Sequence, residues 1–289
     1  MLHTYIEQFL HYCQASNFTA KSLEALTTRL NEFNRYCRKL STDNIRSVTY
    51  SDLLNFIADF EAPSVHKKKS RVWVLHQFYH FLKLNQIVSV NLAIDIPYPK
   101  IEKKVPQYLT IAEFNQILDY FALGAQSAVG LRNLIIIMLF GFLGLRLQAV
   151  LRLNVEDVDP VSGMIHIQEK GGVKRHLAMP AILCKALSEY LKIHEQPDGP
   201  LFVTKRKKRI SERTIQDLLR KAMQELSIEK HLHAHIFRHT AGTHLSKVAG
   251  ADITQQVLGH ACRRNTEQYS HLNPDIYVSY MKKHPYMNL

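Results

Sequence analysis

Three short stretches carry residues able to handle a phosphodiester. They are His235-Ile236-Phe237-Arg238-His239, then Leu258-Gly259-His260, then a segment ending at Tyr269, nine residues after His260. A phosphodiester under attack gathers charge on its non-bridging oxygens. A guanidinium meets two of these with paired, directed hydrogen bonds that a lysine cannot match. Arg238 is one candidate, and Arg146, closing an apolar run, is the other. His260 can add a donor to the same oxygens, a contribution commonly worth about 10²–10³ in rate. His235 precedes Arg238 by three residues and shares its face if the run is helical, so it can orient the site or help take a proton. A tyrosine can be the nucleophile and keep the phosphate as a covalent link. Its phenol, with an ordinary pKa of about 10, must lose its proton during attack or beside cations that favour phenolate. Tyr269 has that company. The leaving oxygen needs an acid, and Lys170 in the turn Lys170-Gly171-Gly172 is suited to the task, with Lys174 as competitor. Singly, each of these residues has an ordinary structural explanation; their joint order is what points to chemistry.

That order resembles the tyrosine recombinase (phage integrase) family. Gly144-Leu145-Arg146, Lys170, His235 to His239, Leu258-Gly259-His260 and Tyr269 stand in the order and approximate spacing of its motifs, closest to the compact Xer-like members. The family's Lys-Gly-x-x-x-Arg turn favours Lys170 over Lys174, and Arg175 falls where that pattern has its arginine. The resemblance implies attack by Tyr269, a 3′-phosphotyrosyl enzyme and a free 5′-hydroxyl, in an isoenergetic exchange needing no ATP, cofactor or divalent metal. It also implies double-stranded DNA gripped in a C-shaped clamp, and four protomers on two sites exchanging strands through a Holliday junction. The amphipathic C-terminal segment 274–289 is expected to dock on a neighbouring protomer. One departure stands out: the position three after Arg146, acidic in the family, is Ala149, with Glu156 or Asp157 as possible cover. The rival readings are a type IB topoisomerase and a DNA-binding accessory protein with a relic site. His231, His233 and His235 alternate as metal ligands could, but no carboxylate or cysteine clusters beside them in sequence, and no metal site is expected.

Composition agrees with a polyanionic partner. The chain has 289 residues, a formal net charge of +12 and 46% hydrophobic residues, enough for two cores. Lys67, Lys68, Lys69 and Arg71 form one basic run; Lys205, Arg206, Lys207, Lys208 and Arg209 form another, just before Ser211 as helix N-cap. Both are expected to meet DNA phosphates. Cys13, Cys37, Cys184 and Cys262 form no C-x-x-C pair and suit a reducing compartment. No export signal is visible at the start, and the longest apolar run, Leu134 to Leu145, is too short to span a bilayer, so a cytoplasmic protein, nucleoid-associated on DNA, is expected.

Hydrophobic periodicity supplies the elements that must hold these residues. Leu23, Leu26, Leu30, Phe33, Cys37 and Leu40 make one helical stripe, and further helices are expected near 2–15, 51–61 and 65–85, the last with Leu75, Phe78 and Leu82 inward. Residues 96–107 hold three prolines and three lysines without apolar periodicity and read as a linker. Thr110 and Glu113 have capping-box spacing. Met164–Ile167 and Arg175–Met179 read as two strands about a tight turn, and helices are expected at 181–194, 211–226, 238–248, 253–258 and 274–283. The expected fold is mainly α. The family resemblance implies a helical, SAM-like core-binding domain over 1–95, a linker over 96–107, and over 108–289 a mostly α catalytic domain with a small antiparallel β-sheet.

Overall fold

The computed structural model describes residues 2–42, 44–102, 106–168, 174–193 and 197–259. The chain divides into two compact units, Met1–Lys104 and Val105–Leu289. The fold is mainly helical with one small antiparallel sheet.

The first unit is built on four helices, α1 (Leu2–Ala15), α2 (Ala20–Lys39), α3 (Tyr50–Ala58) and α4 (Val65–Leu84). Local chemistry sets their starts. Thr19, Thr49 and Ser64 each accept a backbone N–H of the first turn, and Asp52 returns the bond to Thr49 in a capping box. The α2 stripe buries Leu26, Leu30, Phe33 and Cys37, then runs out at Leu40, which caps the helix and is exposed. Helix α4 packs against the other three, and the core is aromatic: Phe9, Phe33, Phe56, Phe78 and Tyr79 are buried, with Phe9 and Phe78 edge to face at 5.5 Å.

In the second unit Thr110 and Glu113 form the capping box that starts α5 (Ile111–Leu123). Helix α6 (Ala128–Leu143) is buried on nearly every side, with Ile135, Ile137, Leu139 and Phe140 inaccessible, and it is the centre of the unit. After the short α7 (Leu147–Arg152) come three antiparallel strands in order β1 (Val158–Asp159), β2 (Met164–Gln168) and β3 (Lys174–Ala178). Alternation is clean on β2, where Ile165 and Ile167 point inward. The register sets Ile167 opposite Arg175 and Ile165 opposite Leu177, so Arg175 belongs to the core-facing side of β3. Helices α8 (Ala181–Ile193), α9 (Glu212–Glu225) and α10 (Ala234–Leu258) complete the unit, and α6 packs against α5, α8 and α10. No helix among the described residues is long and apolar enough to cross a membrane. The helix expected at 274–283 and the turn at Lys170 lie outside the described residues.

Candidate active site

Helix α10 brings distant parts of the sequence together by turning back on itself. Arg238 Nη2 donates to the Leu258 carbonyl at 2.5 Å, although the residues are twenty apart. On a straight helix that separation would be about 30 Å. The reversal falls at Gly250, whose φ of 78° and ψ of 175° lie in a region open essentially to glycine alone. The first limb carries His235 and Arg238; the second ends at Leu258-Gly259.

Three arginines from three places meet the end of the second limb. The last carbonyls of a helix have no partner of their own and carry the negative end of its dipole, so cations are favoured there. Gly259 N–H serves Gln256 as helix cap, at 3.1 Å. Arg175 Nη1, from β3, donates to Gln256 O at 3.0 Å and also to Val257 O. Arg238 takes Leu258 O and, through Nη1, Gly144 O at 2.7 Å. Arg146 Nη2, from the residue capping α7, reaches Gly259 O at 3.4 Å. The Gly144-Leu145-Arg146 turn and the Leu258-Gly259 turn thus lie side by side, with Arg238 bridging them. Arg238 is only 5% exposed. Burial also draws the Arg175 pKa down to about 10.

His235 lies in the first turn of α10 and is exposed, three residues before the buried Arg238. The ring of His233 caps the helix, its Nδ1 accepting the Ile236 N–H at 2.9 Å. Partial desolvation, then the neighbouring His231 and His235, hold the His233 pKa below the usual value. Burial does the same for His239, helped by His235, His233 and Arg238. The rings of His231 and His233 lie 5.4 Å apart and those of His233 and His235 6.4 Å; among the described residues no group of three ligand-type side chains could hold a metal ion. Lys170, His260 and Tyr269 lie outside the described residues, His260 directly following Gly259.

Two expectations need correction. Arg71 is not a phosphate contact: it is 0% exposed, donating to Glu32 Oε2 through Nε and Nη2 and to the carbonyls of Phe56 and Phe60. Its guanidinium also lies 4.4 Å from the Phe56 ring centroid. Nor do Glu156 and Asp157 replace an acidic residue at Ala149, which is itself buried; both carboxylates accept from Asn154. Of the lysines in the same basic run, Lys67 is half-buried and paired with Glu32 at 3.3 Å and Glu61 at 3.6 Å, and Lys69 is exposed, while Lys68 is half-buried.

The second basic run forms a tight turn. Thr204 N–H donates to Lys208 O at 2.7 Å, Val203 bridges Arg209, and Lys205, Arg206, Lys207 and Lys208 stand exposed at the tip. Arg209 anchors one arm through the carbonyls of Leu151 and Leu153 and Asn154 Oδ1. Arg132, buried in α6, anchors the other by donating to Val203 O at 2.6 Å. Sequence reading gave Arg132 no part; a lone arginine inside an apolar helix was the signal. Ser211 caps α9 just beyond, accepting from Thr214 N–H.

This architecture is that of the DNA strand-exchange recombinases. A crystal structure of XerH site-specific recombinase bound to palindromic difH substrate, a post-cleavage complex, is similar over 97% of this chain and 95% of that one, with a TM-score of 0.81 at 18% identity. A lambda integrase tetramer bound to a Holliday junction is similar over 91% of this chain and 78% of that one, with a TM-score of 0.72 at 16% identity. In sequence, tyrosine recombinase XerC of Bacillus pumilus (strain SAFR-032) is 26% identical over 295 residues, covering 97% of this chain and 96% of that protein. The chain belongs to the phage integrase family, whose profile matches residues 107–275. It is an enzyme of site-specific tyrosine recombination, a DNA strand transferase whose family works through a phosphotyrosyl link.

Proposed function

We propose that Tyr269 is the nucleophile of this recombinase and that Arg146 and Arg238 clamp the scissile phosphate. The observation that carries this reading is the side-by-side placement of the Gly144–Arg146 and Leu258–Gly259 turns, bridged by Arg238. Carbonyls hold a guanidinium in a fixed orientation, so both arginines arrive pre-oriented where negative charge develops. His260 follows that turn and adds a donor to the same oxygens; His235, one helical turn from Arg238, orients the site or takes the phenolic proton. Lys170 protonates the leaving 5′-oxygen. A 5′-hydroxyl from the partner duplex then attacks the 3′-phosphotyrosyl bond, releasing the tyrosine and joining the new strand.

Residues 1–95 act as the core-binding domain and 108–289 as the catalytic domain, joined by a linker over 96–107. Double-stranded DNA is held through the exposed tip Lys205–Lys208 and through Lys68 and Lys69 of α4, with Arg209 bracing the loop. Four protomers assemble on two sites, a reading supported by the lambda integrase tetramer bound to a Holliday junction; segment 274–289 docks on a neighbouring protomer. The enzyme works in the cytoplasm, on the nucleoid.

The test is a suicide substrate nicked beside the cleavage site, incubated in EDTA. A covalent protein–DNA adduct with wild type that is lost in Tyr269→Phe is the expected result. An adduct that persists in Tyr269→Phe would overturn the assignment.

A further inference from the structure

Arg175 occupies a place where an arginine is costly. Strand alternation puts it on the side of Leu177 and opposite Ile167, both core-facing. A charge drawn from water there must find hydrogen-bond acceptors. It finds the carbonyls of Gln256 and Val257, at the negative end of α10. The fit extends to Gly259. That residue has a φ of 62°, and a Cβ added to it would lie 2.7 Å from both Cζ and Nε of Arg175 and 3.1 Å from Nη1. The guanidinium plane therefore lies against the bare face of the turn, where any other residue would strike it.

We propose that Arg175 is a positioning residue for the phosphate site: from β3 it holds two carbonyls of the last α10 turn and backs Gly259, fixing the backbone to which His260 is joined. The proposal rests on the reading of His260 as a phosphate donor. It gives the sheet a positioning part in the reaction, because Arg175 stands on β3. A lysine at this position keeps the charge but lacks the flat guanidinium that lies against Gly259 while its Nη1 holds two carbonyls. Displacing a catalytic donor by about 1 Å commonly costs on the order of 10²-fold in rate.

The experiment measures single-turnover adduct formation on the nicked substrate at saturating DNA, with DNA affinity measured alongside by gel shift. The proteins are wild type, Arg175→Ala, Arg175→Lys, His260→Ala and the double variants with His260→Ala. Arg175→Ala is expected to slow cleavage by about 10²-fold while affinity stays within about threefold, and Arg175→Lys to restore part of the rate. In the His260→Ala background the same changes are expected to cost less than about threefold, since the residue acts through His260. An unchanged rate in Arg175→Ala, or an equal loss in both backgrounds, overturns the proposal. If Arg175→Ala does not fold, the Arg175→Lys pair supplies the same cycle. Tyr269→Phe reports separately on the nucleophile: its failure and that of the Arg175 cycle are read from different proteins.

Discussion

A guanidinium withdrawn from water needs acceptors, and the kind it finds decides what it can do. Arg238 is met by the carbonyls of Gly144 and Leu258, dipoles that fix its orientation. Arg71 is met by the carboxylate of Glu32, which also takes Arg29 and Lys67. The first arrangement fixes the direction of a guanidinium; the second is a packed ion network inside a core. Removing one partner of a buried pair leaves a stranded charge and costs about 3–5 kcal/mol. Glu32→Ala is therefore expected to destabilise the protein by roughly that amount in urea denaturation. Glu61→Ala, which breaks only surface pairs with exposed Arg35 and half-buried Lys67, should leave the midpoint nearly unchanged. Equal effects of the two variants would defeat the distinction. The burial of Arg71 was within reach of periodicity: it stands four residues before Leu75 and seven before Phe78, so it continues their stripe one turn toward the N-terminus. Counting charges along the run Lys67–Arg71 hid that phase.

Elements were legible wherever their signals are local. The boxes Thr49–Asp52 and Thr110–Glu113 start helices because both partners lie within one turn, and β2 shows its alternation within five residues. What sequence cannot display is a contact between residues far apart, such as Arg175 with Gln256 or Arg132 with Val203. The motif spacing supplied an arginine near position 175 without saying what it holds. Helix α10 falls between these cases. The gap between apolar patterns at 249–252 is visible in the chain, but the reversal depends on the backbone of one residue, Gly250. Thr254 braces it, donating its hydroxyl to Gly250 O at 2.7 Å. A side chain at that φ and ψ costs on the order of 1–3 kcal/mol, and relaxing it would separate Arg238 from Leu258. Gly250→Ala is accordingly expected to lower stability by about 2 kcal/mol and to slow adduct formation at saturating DNA. Unaltered stability and cleavage would show that the bend is not what holds the two limbs together.

At the scale of the molecule, a formal charge of +12 sets the attraction to DNA but not where it acts. Part of the charge in the first unit is tied internally: Arg29, Lys67 and Arg71 share Glu32, and Arg35 and Lys67 share Glu61. The Lys205–Lys208 tip carries four exposed cations on a turn braced by Arg132 and Arg209. A charge that neutralises a phosphate releases counterions, so each such contact contributes about −0.9 to the slope of log affinity against log salt on duplex DNA. Replacing Lys205 and Lys208 together by glutamine is expected to flatten that slope by about 1.8 and to weaken binding alike on cognate and unrelated duplexes, as loss of phosphate contacts should. Lys68→Gln with Lys69→Gln tests the first unit in the same way. Arg71→Met provides the contrast: it removes a charge of the same sign but one enclosed by protein, so its effect belongs in the denaturation midpoint and the salt slope should stay as in wild type. A slope unchanged by the Lys205 and Lys208 replacements would remove the loop from the DNA interface. A slope reduced by Arg71→Met in folded protein would show that its charge reaches the duplex after all.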